Sequence, residues 1–358
     1  MLISGIKKSS FETDAKHSGY ERRHWAARVT IAAAAILTVL GCVISLGMGR
    51  YFVPFNQVVR VIAYAAGIPI EQTWTDRMQD VVLLVRLPRV LGAALIGAAL
   101  SLSGVVYQGV FHNPLVSPDI LGVSSGAAVG ASVAILCHAG GFLVQVSALA
   151  GGGAAVLLAI TISHLFMKTS PLTLVLSGII VSALCSSLLS VCQFAANVYE
   201  ELPAIVFWTM GSLRKISNSD LAVTVPVIVI VSAVLIAGRW RINLLSLGDD
   251  ESRTLGLNVR ATRALTITCS TVITAFAVCV SGTISWVGLI IPHLARFVTG
   301  NDNRFAVPAS ALFGAIFLTV VDTTARCLSP SEIPISAITG IICVPIFVFI
   351  IVRKRFSL

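Results

Sequence analysis

The residues of this chain that could do chemistry are few and scattered. No Gly-x-x-x-x-Gly-Lys loop is present to cradle phosphates, and no lysine follows a glycine anywhere, so the chain is not its own P-loop ATPase. His-Glu-x-x-His is missing, as is the paired-aspartate motif that a membrane protease or prenyl transferase would need. The eight cysteines contain no Cys-x-x-Cys pair and stand in or beside apolar runs. There they read as small buried hydrophobes, not as a disulfide frame or a metal site. What remains is a handful of charged groups: Asp249, Asp250 and Glu251 followed by Arg253; Arg86 with Arg89; His293; and Asp322 with Arg326. These suit binding and transport rather than covalent catalysis, so the chain is not expected to be an enzyme.

The elements that must position them are apolar. Of 358 residues, 56% are hydrophobic and 11% charged. Runs of about 20 apolar residues, the length that crosses a bilayer core, follow one another from Val29 to Val352. The expected fold is an all-α polytopic membrane protein with about ten transmembrane helices, near 29–49, 88–110, 119–138, 143–166, 171–195, 220–238, 262–281, 284–298, 306–328 and 335–352. A basic N-terminal extension, 1–28, precedes a single transmembrane domain, 29–358. Leu40-Gly41-Cys42 faintly resembles a lipoprotein cleavage site, but further spans follow, so the first helix is expected to remain uncleaved. An even number of spans puts both termini on one side. With that side taken as the cytoplasm, seventeen of the 25 lysines and arginines lie inside, the bias that orients inner-membrane proteins. The net charge of +9 is spread over short loops, without the basic, aromatic-laced stripe of a nucleic-acid surface. A lipid bilayer is the expected surrounding.

Arg86 and Arg89, in Arg-Leu-Pro-Arg, stand at the outer mouth of the second span. They either snorkel to the interface or form an exposed cationic patch for an acidic partner. The second span ends at Gln108, and Pro114 and Pro118, four apart after Asn113, stop one helix. Ser117 and Pro118 then start the next as N-cap and first helical residue. Gly122, Gly126 and Gly130 share a face at every fourth position, which suits close helix packing or, alternatively, a path-lining surface. The eighth span, about fifteen residues long, holds Gly288, Pro292 and His293. It is short for a crossing, and its proline suggests a broken helix enclosed by protein or a water-filled cavity. His293 reads as a packed, hydrogen-bonded residue. Asp322 and Arg326, four apart, can face each other on one helix.

One long charged break interrupts the apolar pattern, from Arg239 to Arg263. Asp249, Asp250 and Glu251 stand where a helix N-terminus favours carboxylates, Arg253 follows about a turn later, and Gly256 suits a left-handed C-terminal position. The segment is either an ordinary solvated loop or a short helix, about two turns long, that another protein grips from outside the bilayer. Ion-coupled carriers place ionisable groups deep inside spans. Here the span interiors are nearly bare, which favours drive from a partner over the alternative of an ion-coupled secondary transporter.

These residues fall into blocks. Arg86-Leu-Pro-Arg89, Gln108 with Asn113-Pro-Leu, Pro118-Asp-Ile-Leu-Gly-Val-Ser-Ser-Gly126, Trp208-Thr-Met-Gly211, Leu244-Leu-Ser-Leu-Gly-Asp-Asp250, Leu255-Gly256, Gly282-Thr-Ile-Ser-Trp-Val-Gly-Leu-Ile-Ile-Pro-His293, Arg296, Gly300-Asn-Asp-Asn-Arg304 and Glu332-Ile-Pro334 together resemble the FecCD, or BtuC-like, permeases of type II ATP-binding cassette importers. The resemblance runs in order from about residue 50 to the C-terminus. It implies a ten-helix subunit that dimerises with a second copy or a close homologue around a central path, with Gln108, Asn113, Pro114, Gly122, Gly126, Gly130, Gly288, Pro292 and His293 lining or packing it. It further implies two cytoplasmic ATPase subunits, which carry the ATP and magnesium, so that this chain holds no cofactor and no metal. Leu247, Gly248, Asp249, Asp250, Glu251, Arg253, Leu255 and Gly256 would form the coupling helix. Arg86, Arg89 and Arg326 would meet acidic residues of an extracytoplasmic binding protein, and the cargo would be a ferric siderophore, with haem or cobalamin as alternatives. The chain departs from the family pattern at Ser336 and at Cys343-Val344, where glycines are usual.

Overall fold

In the computed structural model, the backbone is described for residues 2–165, 171–329 and 333–355, and side chains for 24–165, 171–329 and 333–352. The regular structure there is helical throughout. In chain order the helices are α1 (Leu2–Gly47), α2 (Phe55–Ala65), α3 (Asp76–Asp80), α4 (Leu87–Val110), α5 (Val123–Leu136), α6 (Gly141–Leu165), α7 (Pro171–Ala195) and α8 (Glu201–Met210). They continue as α9 (Asn218–Ala237), α10 (Arg239–Leu245), α11 (Asp249–Thr254), α12 (Val259–Ser281), α13 (Val287–Thr299), α14 (Asn303–Leu328) and α15 (Ile335–Arg355). A turn of π-helix, Val81–Arg86, joins α3 to α4, so Asp76–Val110 is one rod.

Among the described residues, eight helices are long and apolar enough to cross a membrane. The other two expected spans are present but short: α5 has 14 residues and α13 has 13. At 1.5 Å per residue each reaches about 20 Å, less than the ~30 Å hydrocarbon core.

The causes of both short helices differ from those expected. Pro118 does not begin α5. It opens a single 3₁₀ turn, Pro118–Leu121, and Gly122 then breaks the path with φ at 83° before α5 starts at Val123. Pro292 does not break α13 either; the helix runs through it, and the irregular segment is Gly282–Trp286, upstream. A proline inside a helix frees the carbonyl four residues back, here that of Gly288. That carbonyl lies against the bare Cα of Gly104 on α4, so closely that a Cβ at 104 would overlap it. Helix α1 is continuous from Leu2 to Gly47, and its apolar, span-length part is His24–Gly47.

Helix α4 is the buried axis of the fold, and nearly every residue from Ala99 to Val110 is inaccessible. Its neighbours approach at glycines. Gly97 meets Gly314 of α14 backbone to backbone, and Gly104 meets Gly288 of α13. Gly126 and Gly130 do the same for α5 against Gly151 and Ser147 of α6. The packing alternative for the glycine strip is therefore the one observed at those two positions. Gly122 serves instead as the left-handed break. A smaller apolar core, built on Leu46, Val53, Val58, Val61, Trp74 and Val82, fastens α2 and the π turn to the end of α1. The outer faces of α6, α7 and α15 expose leucine, isoleucine, valine and phenylalanine, as lipid contact requires.

Overpacking a core usually costs about 1–3 kcal/mol. Gly104→Ala is therefore expected to lower the thermal unfolding midpoint of the detergent-solubilised protein, whereas Gly153→Ala, with open space at its Cβ position, is expected to leave it unchanged. Equal midpoints for the two variants would contradict the α4–α13 contact.

Candidate functional site

The charged break folds as two short helices in a row, α10 and α11, joined by Ser246–Gly248. Three carboxylates occupy the first turn of α11. At its other end, Gly256 takes φ of 80°, while its N–H bonds Arg253 O and the N–H of Leu257 bonds Ser252 O, closing the helix as the glycine predicted. The pair is bolted to the membrane helices at several points. Ile242 and Leu245 are fully buried, and Ile242 packs on Gly109 of α4. The Asn303 N–H, at the start of α14, donates to Asn243 Oδ1 at 3.0 Å. The Ser252 hydroxyl donates to Leu244 O and Gly248 O, tying α11 to α10. Asp249 receives a two-pronged contact from Arg263 of α12, at 2.5 and 3.2 Å.

That last contact sets Asp249, partly exposed, apart from its neighbour Asp250. The Arg263 hydrogen bonds outweigh partial burial and hold the Asp249 carboxyl below the usual carboxylate range. Its contribution to stability is present above the ordinary carboxylate pKa and disappears as pH falls through the lowered value. Asp250, by contrast, is almost fully exposed and lies 3.7 Å from Arg253.

Next to this pair lies the turn between α4 and α5. The His112 imidazole Nε2–H donates to Leu245 O at 2.6 Å, from a backbone with φ of 51°. Asn113 Oδ1 accepts from Leu115 N–H, and His293 Nε2–H donates to Pro114 O at 2.9 Å. The Gln108 amide donates to Leu289 O at 3.2 Å and to Val116 O at 3.4 Å. Gly288 packs on Pro118. The expected residues Gln108, Asn113, Pro114, Gly288, Pro292 and His293 are thus one connected neighbourhood around the 111–118 turn and α13. Gly126 and Gly130 belong to the separate α5–α6 contact.

At the opposite end of α4, three arginines gather, but not on the surface. Arg86, Arg89 and Arg326 are each less than a tenth exposed. Arg89 and Arg326 converge on Asp322 at 2.8 and 3.1 Å, which confirms the helical Asp322–Arg326 pairing. Arg326 also donates to Ser45 Oγ at 2.7 Å. Arg86 donates to Leu46 O, Gly47 O and Tyr51 O at 2.8, 3.0 and 2.5 Å. The first two are carbonyls that the end of α1 leaves without helical partners, at the negative pole of its dipole. The expected exposed cationic patch is therefore corrected: in this chain these guanidiniums are internal ties among α1, α4 and α14.

Comparison with known proteins now decides the family. The model of the FecCD transport family matches residues 37–353. The chain belongs to the FecCD transport family. It is 40% identical over 321 residues to the molybdate import system permease protein MolB of Haemophilus influenzae, covering 89% of this chain and 94% of that one. It is also 40% identical over 276 residues to a probable iron chelatin transport system permease protein of Helicobacter pylori, covering 77% and 83%. Among solved structures, an inward-facing metal-chelate type ABC transporter superposes with a TM-score of 0.81 at 38% identity, covering 90% of this chain and 98% of that one.

In this FecCD permease the two departures from the usual pattern have different fates. Ser336 donates its hydroxyl to Thr283 O at 2.7 Å, pinning the start of α15 to the irregular segment before α13. Cys343 is buried within α15. Glu332 lies outside the described residues. Among the cysteines, Cys137 and Cys327 are exposed, contrary to the expectation of uniform burial. Sequence reasoning missed His112, Asn243 and Ser45, whose roles depend on contacts between distant segments. Arg263 carried a usable signal as the basic end of the charged break.

Removing one partner of a buried ion pair costs about 3–5 kcal/mol because the other charge is left uncompensated. Asp322→Ala, which strands two guanidiniums, is expected to unfold at a clearly lower temperature and to expose Cys42 on α1 to thiol labelling. An unchanged midpoint and labelling rate would contradict the tie.

Proposed function

We propose that this FecCD permease is the membrane subunit of an ATP-binding cassette importer, paired with a second copy or close homologue and driven by two ATPase subunits that hold the ATP and magnesium. The observation that carries this reading is the pair Leu247 and Leu255. They flank α11, and they are 57% and 58% exposed although α11 itself is rigidly tied through Asp249 and Ser252. Apolar side chains held out on a fixed helix, beyond the lipid-facing spans, suit the core of a protein interface. Asp250 and Glu251 supply charge at its rim.

On this reading the α10–α11 end faces the cytoplasm, as the distribution of basic residues favours, and both termini lie there in the bacterial inner membrane. The Arg86 end then faces outward, toward a soluble binding protein. With Arg86, Arg89 and Arg326 occupied internally, the exposed cations on that side are Arg50, Arg60, Arg77, Arg214 and Lys215; Arg60 bonds Thr73 and Arg77 lies over Tyr51, and we assign docking to the pair Arg214 and Lys215. They project from a turn held by buried Leu213 and Ile216 and by a Ser212 N–H bond to Ser281 O at 2.8 Å. Among the described residues neither side chain has an ion-pair partner. Ile216 packs on Gly92 of α4, close to Arg89 in sequence. The cargo we assign is a ferric siderophore, in keeping with the iron chelatin and metal-chelate names of similar proteins. Asp322, the buried carboxylate, does not serve an ion-coupled carrier well, since a proton or cation arriving there would have to break two guanidinium contacts.

Leu247→Asp with Leu255→Asp is expected to reduce co-purification of the ATPase subunits about tenfold or more, as loss of two interface anchors would, with the membrane fold intact because neither leucine is buried. Full retention of the ATPase would contradict the interface. Arg214→Glu with Lys215→Glu is expected to weaken binding-protein association at low salt and to flatten its salt dependence; unchanged binding at low salt would remove this turn from the docking surface.

A further inference from the structure

The turn between α4 and α5 is fastened from two sides by histidines. On one side His112 donates to the carbonyl of Leu245, at the C-terminal end of α10. On the other, His293 of α13 donates to the carbonyl of Pro114, two residues further on. Gln108 adds a third fastening, bridging Val116 O of the turn and Leu289 O of α13. Between the staples Asn113 closes a local turn through Leu115 N–H. Residues 112–116 therefore connect α10 to α13, which belong to opposite sides of this turn.

Two features bear on how this connection can move. His112 holds a left-handed backbone, φ 51°, which is uncommon for any residue with a side chain and costs energy unless its surroundings enforce it. Its side chain is held by the bond to Leu245 O at 2.6 Å. Beside the turn there is also open space. An open surface cleft of about 310 Å³ is lined by Phe111, His112 and Asn113 on one side and by Pro171, Leu172 and Val175 of α7 on the other. An exposed segment beside an open cleft has somewhere to move when the contact holding it shifts.

We infer that His112 and His293 are positioning residues that relay displacement of the α10–α11 pair through residues 112–116 to α13 and to the start of α7. This rests on the reading of α10–α11 as the ATPase-facing element. A shift of Leu245 draws on His112, the turn moves at the open cleft, and Pro114 carries the movement to His293. Each imidazole acts through Nε2–H as a donor to a carbonyl.

The test uses two readouts on the full chain in lipid discs. Hydrogen–deuterium exchange compares wild type with His293→Ala. The relay predicts faster exchange at 112–116 and also around 245–248, which His293 does not touch; a change confined to the turn and α13 would overturn it. The second readout is uptake per ATP hydrolysed in vesicles with the ATPase and binding protein, using the ferric siderophore that wild type imports. Loss of a single hydrogen bond corresponds to about a tenfold effect at most, so His112→Ala and His293→Ala are expected to lower this ratio by roughly that factor. His112→Gln, which keeps an N–H donor in reach, is expected to restore most of it. A wild-type ratio in both alanine variants would overturn the relay while leaving the importer reading in place. Failure of the wild-type chain to engage any ATPase would instead remove that reading, and with it the coupling role, while the exchange experiment still decides the physical link.

Discussion

Helix α4 occupies its position because Gly97 and Gly104 have no side chains. Through these two residues the backbones of α14 and α13 approach α4 closely enough for carbonyl oxygens to rest on Cα atoms, the kind of contact that substitutes for the hydrophobic effect where lipid is as apolar as the helix surface. Everything placed at either end of α4 depends on that approach. Arg89 reaches Asp322 because α14 is near, and Gln108 reaches Leu289 O because α13 is near. A single methyl at position 104 would separate them.

The charged groups show the complementary constraint. An arginine within a membrane protein must find oxygen partners or leave the membrane. The three arginines at one end of α4 find theirs in the terminal carbonyls of α1, in Ser45 and in Asp322. Burial makes them structural, and it transfers any role in meeting an acidic partner to cations that remain outside. Asp249 follows the same logic on a smaller scale, since Arg263 engages it while Asp250 stays in water.

Much of this architecture was legible in the sequence because bilayer thickness fixes helix length and charge fixes what stays outside. The long spans, the charged break, the Gly256 cap and the Asp322–Arg326 pair all follow from local rules. Other features did not. Pro118 and Pro292 carry the same local signal, yet one sits in a 3₁₀ turn and the other inside a continuous helix, because the contacts of Gly288 with Gly104 and Pro118 decide where the chain bends. The burial of Arg86 was hidden because its acceptors, Leu46 and Gly47, are backbone atoms some forty residues earlier. His112 could not be singled out at all, since its meaning comes from a carbonyl more than a hundred residues away.

Glycine-packed spans whose buried carboxylate Asp322 is engaged by two arginines suit the proposed drive by a partner at α10–α11. The most direct test is uptake into vesicles holding this chain, its ATPase and its binding protein, with a panel of ferric siderophores, haem, cobalamin and molybdate supplied outside and all ion gradients collapsed by ionophores. The account predicts that ATP trapped on the α10–α11 side sustains accumulation of one cargo, the ferric siderophore, and that ionophores leave it unchanged. Accumulation that needs no ATP and vanishes when the gradients are collapsed would contradict it.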